Sequence, residues 1–427
     1  MDEHTGKGRG IYRGWTVMAG AFISFMFAAI IHTSFGFFVV PASKELGVSR
    51  ADANSWLIVM SIGSACLGPI VGRLLDWMSI RLIMATGAVV LALSLTALGA
   101  STSTWVIAAL ALPIAFAADG AGAMAASTVT ARWFRRRRGR ALAFVGIATS
   151  AGGFVLAPLV AHLVATYGWR TTLPILGAIS CTVILLSVLF LVRSRPEPGE
   201  MEAANEVLAN SSQEQQQAEG RIWSYRELLT NRNFLLLSLG AGLLFACDRA
   251  LMISIAPHLI DMGVDLKAAA LLVSTVMGSS IAGKVVVGYI VERIDPRRIF
   301  LVVAALHVVL LCAFLAQPAM WVLYAVALVA GIGVGGVYPV KQVLTASVFG
   351  SASFGTVAGT AAVLHQVLMM ATFRFIGEVH DRTGAYEIAF IAFIAMSVVA
   401  AVMISQLRLP GRPDLRADGN DRPLARA

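Results

Sequence analysis

The chain has 427 residues, 58% of them hydrophobic and only 13% charged, with a formal net charge of +9. A mean hydropathy of +0.78 excludes a water-soluble globular domain of this length. The excess of positive charge does not point to nucleic acid, because the basic residues collect between apolar runs rather than on one polar surface.

A membrane-crossing helix takes about 20 predominantly apolar residues. Twelve such runs follow one another, at approximately 14–40, 52–75, 81–100, 104–130, 140–165, 171–192, 233–260, 267–292, 298–316, 320–346, 355–380 and 386–406. Gly, Pro and charge clusters separate them. Runs of this length exclude a transmembrane β-barrel, whose strands are about half as long and alternate with period two. The first run is too long for a cleaved signal and leads into KELGVSR rather than a small-residue cleavage site. With the N-terminus in the cytoplasm, the basic clusters around Lys7, Arg73, ARWFRRRRGRA, Arg293 and the tail all fall inside, and only Lys44, Arg50, Arg170, Lys267 and Arg382 fall outside. The positive-inside rule then places both termini in the cytoplasm of a multi-pass protein of the plasma or inner membrane.

The stretch 193–232, rich in Glu, Gln, Ala and Ser, reads as a cytoplasmic linker between an N-terminal half (1–192) and a C-terminal half (233–407), with a cytoplasmic tail at 408–427. The halves repeat. GPIVGRLLDWMSIR (68–81) matches KVVVGYIVERIDPRR (284–298) at an offset of 216, and TYGWR matches RTGAY at the same offset. Six crossings per half give both halves one orientation, related by a pseudo-two-fold axis along the membrane normal.

Cys66, Cys181, Cys247 and Cys312 all lie in apolar runs and read as small hydrophobes, and no CxxC or HxxxH spacing gathers metal ligands. No cofactor is expected. GxxxxGK[ST] is absent, which argues against an ATP-driven pump. Neither a Gly-x-Ser-x-Gly elbow nor a paired His/carboxylate spacing supports an enzyme.

GRLLDWMSIR between runs 2 and 3, with its echo GYIVERIDPRR, resembles the hallmark loop of the major facilitator superfamily. ARWFRRRRGRALAFVGIATSAGGFVLAP resembles the helix 4–5 signature of that superfamily's monocarboxylate-transporter and oxalate:formate-antiporter branch. The resemblance implies an all-α fold of two pseudo-symmetric six-helix halves whose first helices line a central cavity. It also implies that Lys284 stands where a helix 8 base meets a substrate carboxylate, and that Arg374 is a second, helix 11 cation able to hold a dicarboxylate. In the hallmark loops, Asp76 with Arg73 and Arg81, and Glu292 with Arg293, are candidates for a charge clamp at the cytoplasmic face.

A charge at the centre of a membrane helix costs about 2.5–3.5 kcal/mol, so those inside the runs need a reason. They are His32, Asp119, Asp248, Arg249, Lys284, Lys341 and Arg374, and all four cations fall in the second half. Two acids cannot neutralise four bases, and an anionic substrate supplies what is missing. Lys284 with Ser280 one turn earlier, Arg374, Arg249, Lys341 and the adjacent Tyr338 are therefore the candidate substrate ligands, and Asp119, Asp248 and His32 the candidate proton-coupling groups. Adjacent helical residues diverge by about 100°, so Asp248 and Arg249 are not expected to face the same way. The expected protein is a monomeric secondary transporter of a small organic mono- or dicarboxylate, working with protons or a counter-substrate and no nucleic acid. A proton-coupled exporter of a hydrophobic compound and a transporter-like solute sensor are the alternatives.

Overall fold

The structure, a computed structural model, describes residues 13–134, 138–194, 223–291, 293–350 and 354–408. Every regular element among them is helical: α1 Gly14–Ala28, α2 Ile30–Leu46, α3 Arg50–Trp77, α4 Ile80–Ala100, α5 Thr104–Ala117, a π-helical turn Ala118–Gly122, α6 Ala123–Trp133, α7 Arg138–Gly146, α8 Ala148–Phe190, α9 Tyr225–Thr230, α10 Arg232–Asp261, α11 Leu266–Ile290, α12 Pro296–Ala316, α13 Met320–Phe349, α14 Phe354–Thr383 and α15 Glu387–Ser405. Without water in the hydrocarbon, only internally hydrogen-bonded backbone can cross it, and helices meet that requirement.

Among the described residues, eleven helical stretches are long and apolar enough to cross a membrane. The spans expected at 140–165 and 171–192 form one stretch, broken inside α8 at Gly168 (φ 75°, ψ 164°). Each arm of α8 has about twenty residues, enough for a crossing of its own. Gly168 and Gly384 (φ 73°) stand 216 residues apart, and so do Gly47 (φ 64°) and Gly263 (φ 81°). Just beyond the latter two, Ser49 caps α3 by accepting the Asp52 N–H (3.0 Å), and Asp265 caps α11 by accepting those of Lys267 and Ala268 (2.8 and 3.3 Å). The repeat legible in sequence therefore recurs in backbone geometry. The first run also has a break, at Ala29 between α1 and α2, where the Thr33 hydroxyl donates to the carbonyls of Ala29 and Ile30 (both 3.2 Å).

Helices α1–α8 pack mainly on one another, as do α10–α15, and the two groups meet where α2 lies on α10, α3 on α14 and α8 on α11. Small residues set these approaches. A β-carbon on Gly36 would stand 2.5 Å from the Ile253 carbonyl oxygen, and one on Gly153 would stand 2.6 Å from Met277. Within the second group, α11 and α13 touch backbone to backbone, with Gly335 against Ser280 and Gly283 against Ile332.

Most polar ties between the groups lie at mid-depth and at the end of the bundle opposite the chain termini, called the far end below, and one, from Lys284 to Gly146 O (2.7 Å), lies nearer the termini. Ser274 Oγ donates to Phe154 O (2.6 Å) and Asn54 Nδ2 to Phe373 O (3.2 Å). At the end carrying the termini, Arg81 to Leu189 O (3.0 Å) and Arg297 to Leu407 O (2.9 Å) are ties within a group.

Gly335→Ala is expected to cost about 1–3 kcal/mol, because its β-carbon has only fixed backbone to displace. A lowered unfolding temperature in detergent checks this, with Gly288→Ala, where a β-carbon meets nothing within 4 Å, expected to cause no loss.

Candidate functional site

Asp248 and Arg249 lie midway along α10. The Asp248 side chain is 0% exposed and that of Arg249 35% exposed, so the arginine faces the open space within the bundle and the acid faces its packing. The long Arg249 side chain then folds back, donating through Nε (2.9 Å) and a terminal nitrogen to Asp248 Oδ2. Asp248 Oδ1 has no hydrogen-bond partner among the described residues. The Arg249 guanidinium lies 5.5 Å from the centroid of Phe245, and the Lys341 ammonium lies 4.7 Å from that same centroid.

Other ionisable groups gather within reach of Arg249, whose charge acts on His32, Lys284, His307 and Lys341. His32 is exposed although it lies in the middle of an apolar run. Lys284 reaches across to the first group, where its ammonium donates to Gly146 O (2.7 Å) and Thr149 Oγ1 (3.1 Å). Gly146 closes α7, so the ammonium meets the negative end of a helix dipole. Lys341 approaches His365 Nδ1 (3.5 Å) and the ring of Tyr338 (5.2 Å), whose hydroxyl accepts from Gln342 (2.8 Å). Among the described residues neither lysine has a carboxylate ion-pair partner.

Three expected members stand elsewhere. Ser280 is buried and donates to Ser150 Oγ (2.8 Å), so it fastens α11 to α8. Asp119, in the π-helical turn, accepts a hydrogen bond from Ser64 inside the first group. Arg374 is engaged at the far end by Asp52 Oδ1 and Ser55 Oγ of α3 (both 3.1 Å) and by Glu378 of its own helix (3.4 Å). With two carboxylates on it, Arg374 ties α14 to α3 rather than adding to the cation group.

The expected clamp also has other partners. Asp76 pairs with Arg132 at the end of α6 (3.7 Å), and Arg132 donates to Leu75 O (2.7 Å) as well. Arg81 is committed to Leu189, Arg73 is exposed, and Arg293 stacks on Tyr289 (4.1 Å). Glu292 and the side chains of Arg135–Arg138 lie outside the described residues. In the loop before α12, the hydrogen bond from the Arg297 guanidinium (2.8 Å) holds the Asp295 carboxyl below its ordinary range. An apolar pocket lined by Phe35, Phe38, Trp56, Met60 and Trp169 lies inside the first group and carries no charge.

Several residues now in view were not singled out from sequence: His307, His365, Arg132, and the far-end set Arg50, Asp52, Asp261, His380 and Asp381. His307 and His365 carried the same signal as His32, an ionisable group in an apolar run. His307 is fully buried, and neither of its ring nitrogens has a hydrogen-bond partner among the described residues.

Arg249→Gln is expected to destabilise more than Asp248→Asn. The first strands a fully buried carboxylate, at about 3–5 kcal/mol, and the second leaves a partly hydrated guanidinium. The Arg249→Gln loss is expected to shrink as pH falls, since protonation neutralises the stranded acid. Thermal unfolding of both variants across pH measures this.

The sequence matches the Major Facilitator Superfamily over residues 17–371 and again over 237–425. It is 29% identical over 187 residues to the uncharacterized MFS-type transporter YcxA of Bacillus subtilis (strain 168), a match spanning 43% of this chain and 45% of that one. It is 24% identical over 387 residues to monocarboxylate transporter 13 of Rattus norvegicus, covering 88% of this chain and 85% of that one. Two solved structures share the fold. The bacterial homologue of the human lysosomal transporter Spinster, inward-facing and unoccupied, aligns at TM-score 0.69 and 16% identity over 93% of this chain and 97% of that one. The nucleoside transporter NupG aligns at TM-score 0.69 and 14% identity over 93% of this chain and 99% of that one. The chain belongs to the Major Facilitator Superfamily and is a multi-pass membrane transporter, not an enzyme.

Proposed function

We propose that this Major Facilitator Superfamily chain is a secondary transporter of small organic anions, mono- or dicarboxylates, working by alternating access between two six-helix halves. Counting the two arms of α8 separately gives twelve crossings, with both termini in the cytoplasm and the far end outside. Among the described residues the ion pairs between the halves lie at the far end and those at the other end lie within a half, which fits a state closed outside and open to the cytoplasm.

The observation that carries the anion reading is the cation group itself. Lys284 and Lys341 each stand within electrostatic reach of Arg249, and Asp248 is the one acid paired with any of the three among the described residues. Two positive charges are left over in a region where charge is costly, and a carboxylate entering from the open side neutralises them. Lys284 and Lys341, held by carbonyl, hydroxyl and aromatic groups, are free to exchange those contacts for a carboxylate. Arg249 supplies a third positive charge, and Tyr338 and His365 stand beside Lys341. The curated relatives named monocarboxylate transporters agree with an anionic cargo.

Asp248 and His32 are the proton-coupling groups that stand with the cations, which makes proton co-transport the favoured drive and exchange for a second anion the other. Asp119 belongs to the first half's internal bonding, and the Asp76–Arg132 pair is the inner clamp.

Lys284→Ala and Lys341→Ala are each expected to weaken carboxylate binding about tenfold, the worth of a charge-assisted hydrogen bond. Thermal shift of the purified protein against a panel of small mono- and dicarboxylates reads the affinity. Arg374→Gln is expected to leave that affinity intact and to slow counterflow in proteoliposomes. Unchanged binding in both lysine variants would remove the anion site.

A further inference from the structure

The far-end closure brings two carboxylates and a histidine of the second half to the start of α3. Asp261, at the end of α10, and Asp381, near the end of α14, both grip the first turn of α3. Arg50 donates a terminal guanidinium nitrogen to Asp261 Oδ1 (3.0 Å), and Asp381 accepts the backbone N–H groups of Arg50 and Ala51 on its two oxygens (2.8 Å each). A carboxylate of one half thus caps a helix of the other.

One imidazole touches both acids. His380 Nε2 lies 3.0 Å from Asp261 Oδ2. Its Nδ1 is buried, without a hydrogen bond among the described residues, 3.9 Å from Asp381 Oδ1, the same oxygen that holds the Arg50 N–H. The ring lies against Tyr386 (4.6 Å), and His258 of α10 meets the same tyrosine (5.9 Å). Lys44 of α2 acts on Asp261, Glu387 of α15 acts on His258, and Glu378 of α14 is taken up by Arg374 and Arg382.

We propose that His380, together with Asp261 and Asp381, is a proton-binding site whose occupation releases the outer closure. In the neutral ring the Nε2–H serves Asp261, and the Nδ1 lone pair faces Asp381, which leaves both acids holding α3. A proton taken from the outer solvent adds to Nδ1 and turns it into a donor. It then competes with the Arg50 N–H for Asp381 Oδ1, while the imidazolium neutralises Asp261 from within its own half and repels the Arg50 guanidinium. Both grips on α3 weaken together, and deprotonation restores them. Histidine changes charge between about pH 5 and 8, so acid outside favours the open form and alkali the closed one.

This inference rests on the rocking of two halves and not on the anionic cargo. A protein that binds no carboxylate still shows the gate response, so the two readings fail separately. The test places spin labels at V48C and T383C, on either side of the closure, in protein whose four native cysteines are replaced by alanine. Distances are measured in nanodiscs without substrate from about pH 8 to about pH 5.5. The long-distance population is expected to grow severalfold on acidification with His380 present. His380→Gln is expected to hold the short distance throughout, which also shows that it folds, and His380→Lys to be open at both ends of the range. A normal pH response in His380→Gln, or a population that opens towards alkali, overturns the proposal.

Discussion

Charge inside an apolar bundle has to be met by other charge or by oriented dipoles, and among the described residues one acid, Asp248, is paired within the cation group. Asp248 is fully buried and spends itself on Arg249, its sequence neighbour. Lys284 and Lys341 must then be held by neutral groups, which the first half supplies to Lys284 and the second to Lys341. The end of α7 at Gly146 offers a carbonyl and the negative end of a helix, and Phe245 and Tyr338 offer π-faces. Gly242 lets His365 come close, since a β-carbon there would stand 2.6 Å from its ring. Each of these compensates only part of a unit charge. The remainder is the uncompensated positive charge on which the proposed anion site rests.

The fold was largely legible in the sequence. Hydrophobic run length sets helix length in a bilayer, so the crossings could be laid out from composition alone, and the repeat at 216 gave their symmetry. Breaks were harder to place. Gly168 could be seen as a matched glycine, yet nothing local said that the spans on either side of it continue as one helical stretch across a single residue of positive φ. The break at Ala29 has no proline or glycine to announce it.

The site was legible in part, and the division has a physical cause. Lys284, Lys341, Arg249 and Asp248 were visible because an ionisable residue in an apolar run is conspicuous against its own neighbours. Their partners were not. Gly146, Thr149 and Phe245 are ordinary types in such a chain, and only the fold brings them to a cation. Arg374 was conspicuous for the same reason as the lysines, but it faces Asp52 and Ser55 more than three hundred residues away in sequence. The far-end residues failed differently. Arg50, Asp261 and Asp381 lie at helix ends, where charge is ordinary, so nothing separated gate residues from solvated loop charges.

The grip of Asp381 on the start of α3 also bears on how easily such a protein can cycle. Backbone N–H groups at a helix start, a guanidinium and two carboxylates are all well satisfied by water, so parting them exchanges hydrogen bonds and does not abolish them. A closure of interlocking apolar side chains would resist separation in proportion to the surface it exposes. The polar ties at the far end therefore add little to the cost of parting the halves, and that cost falls on the apolar surface packed between them, as at Gly36 against Ile253.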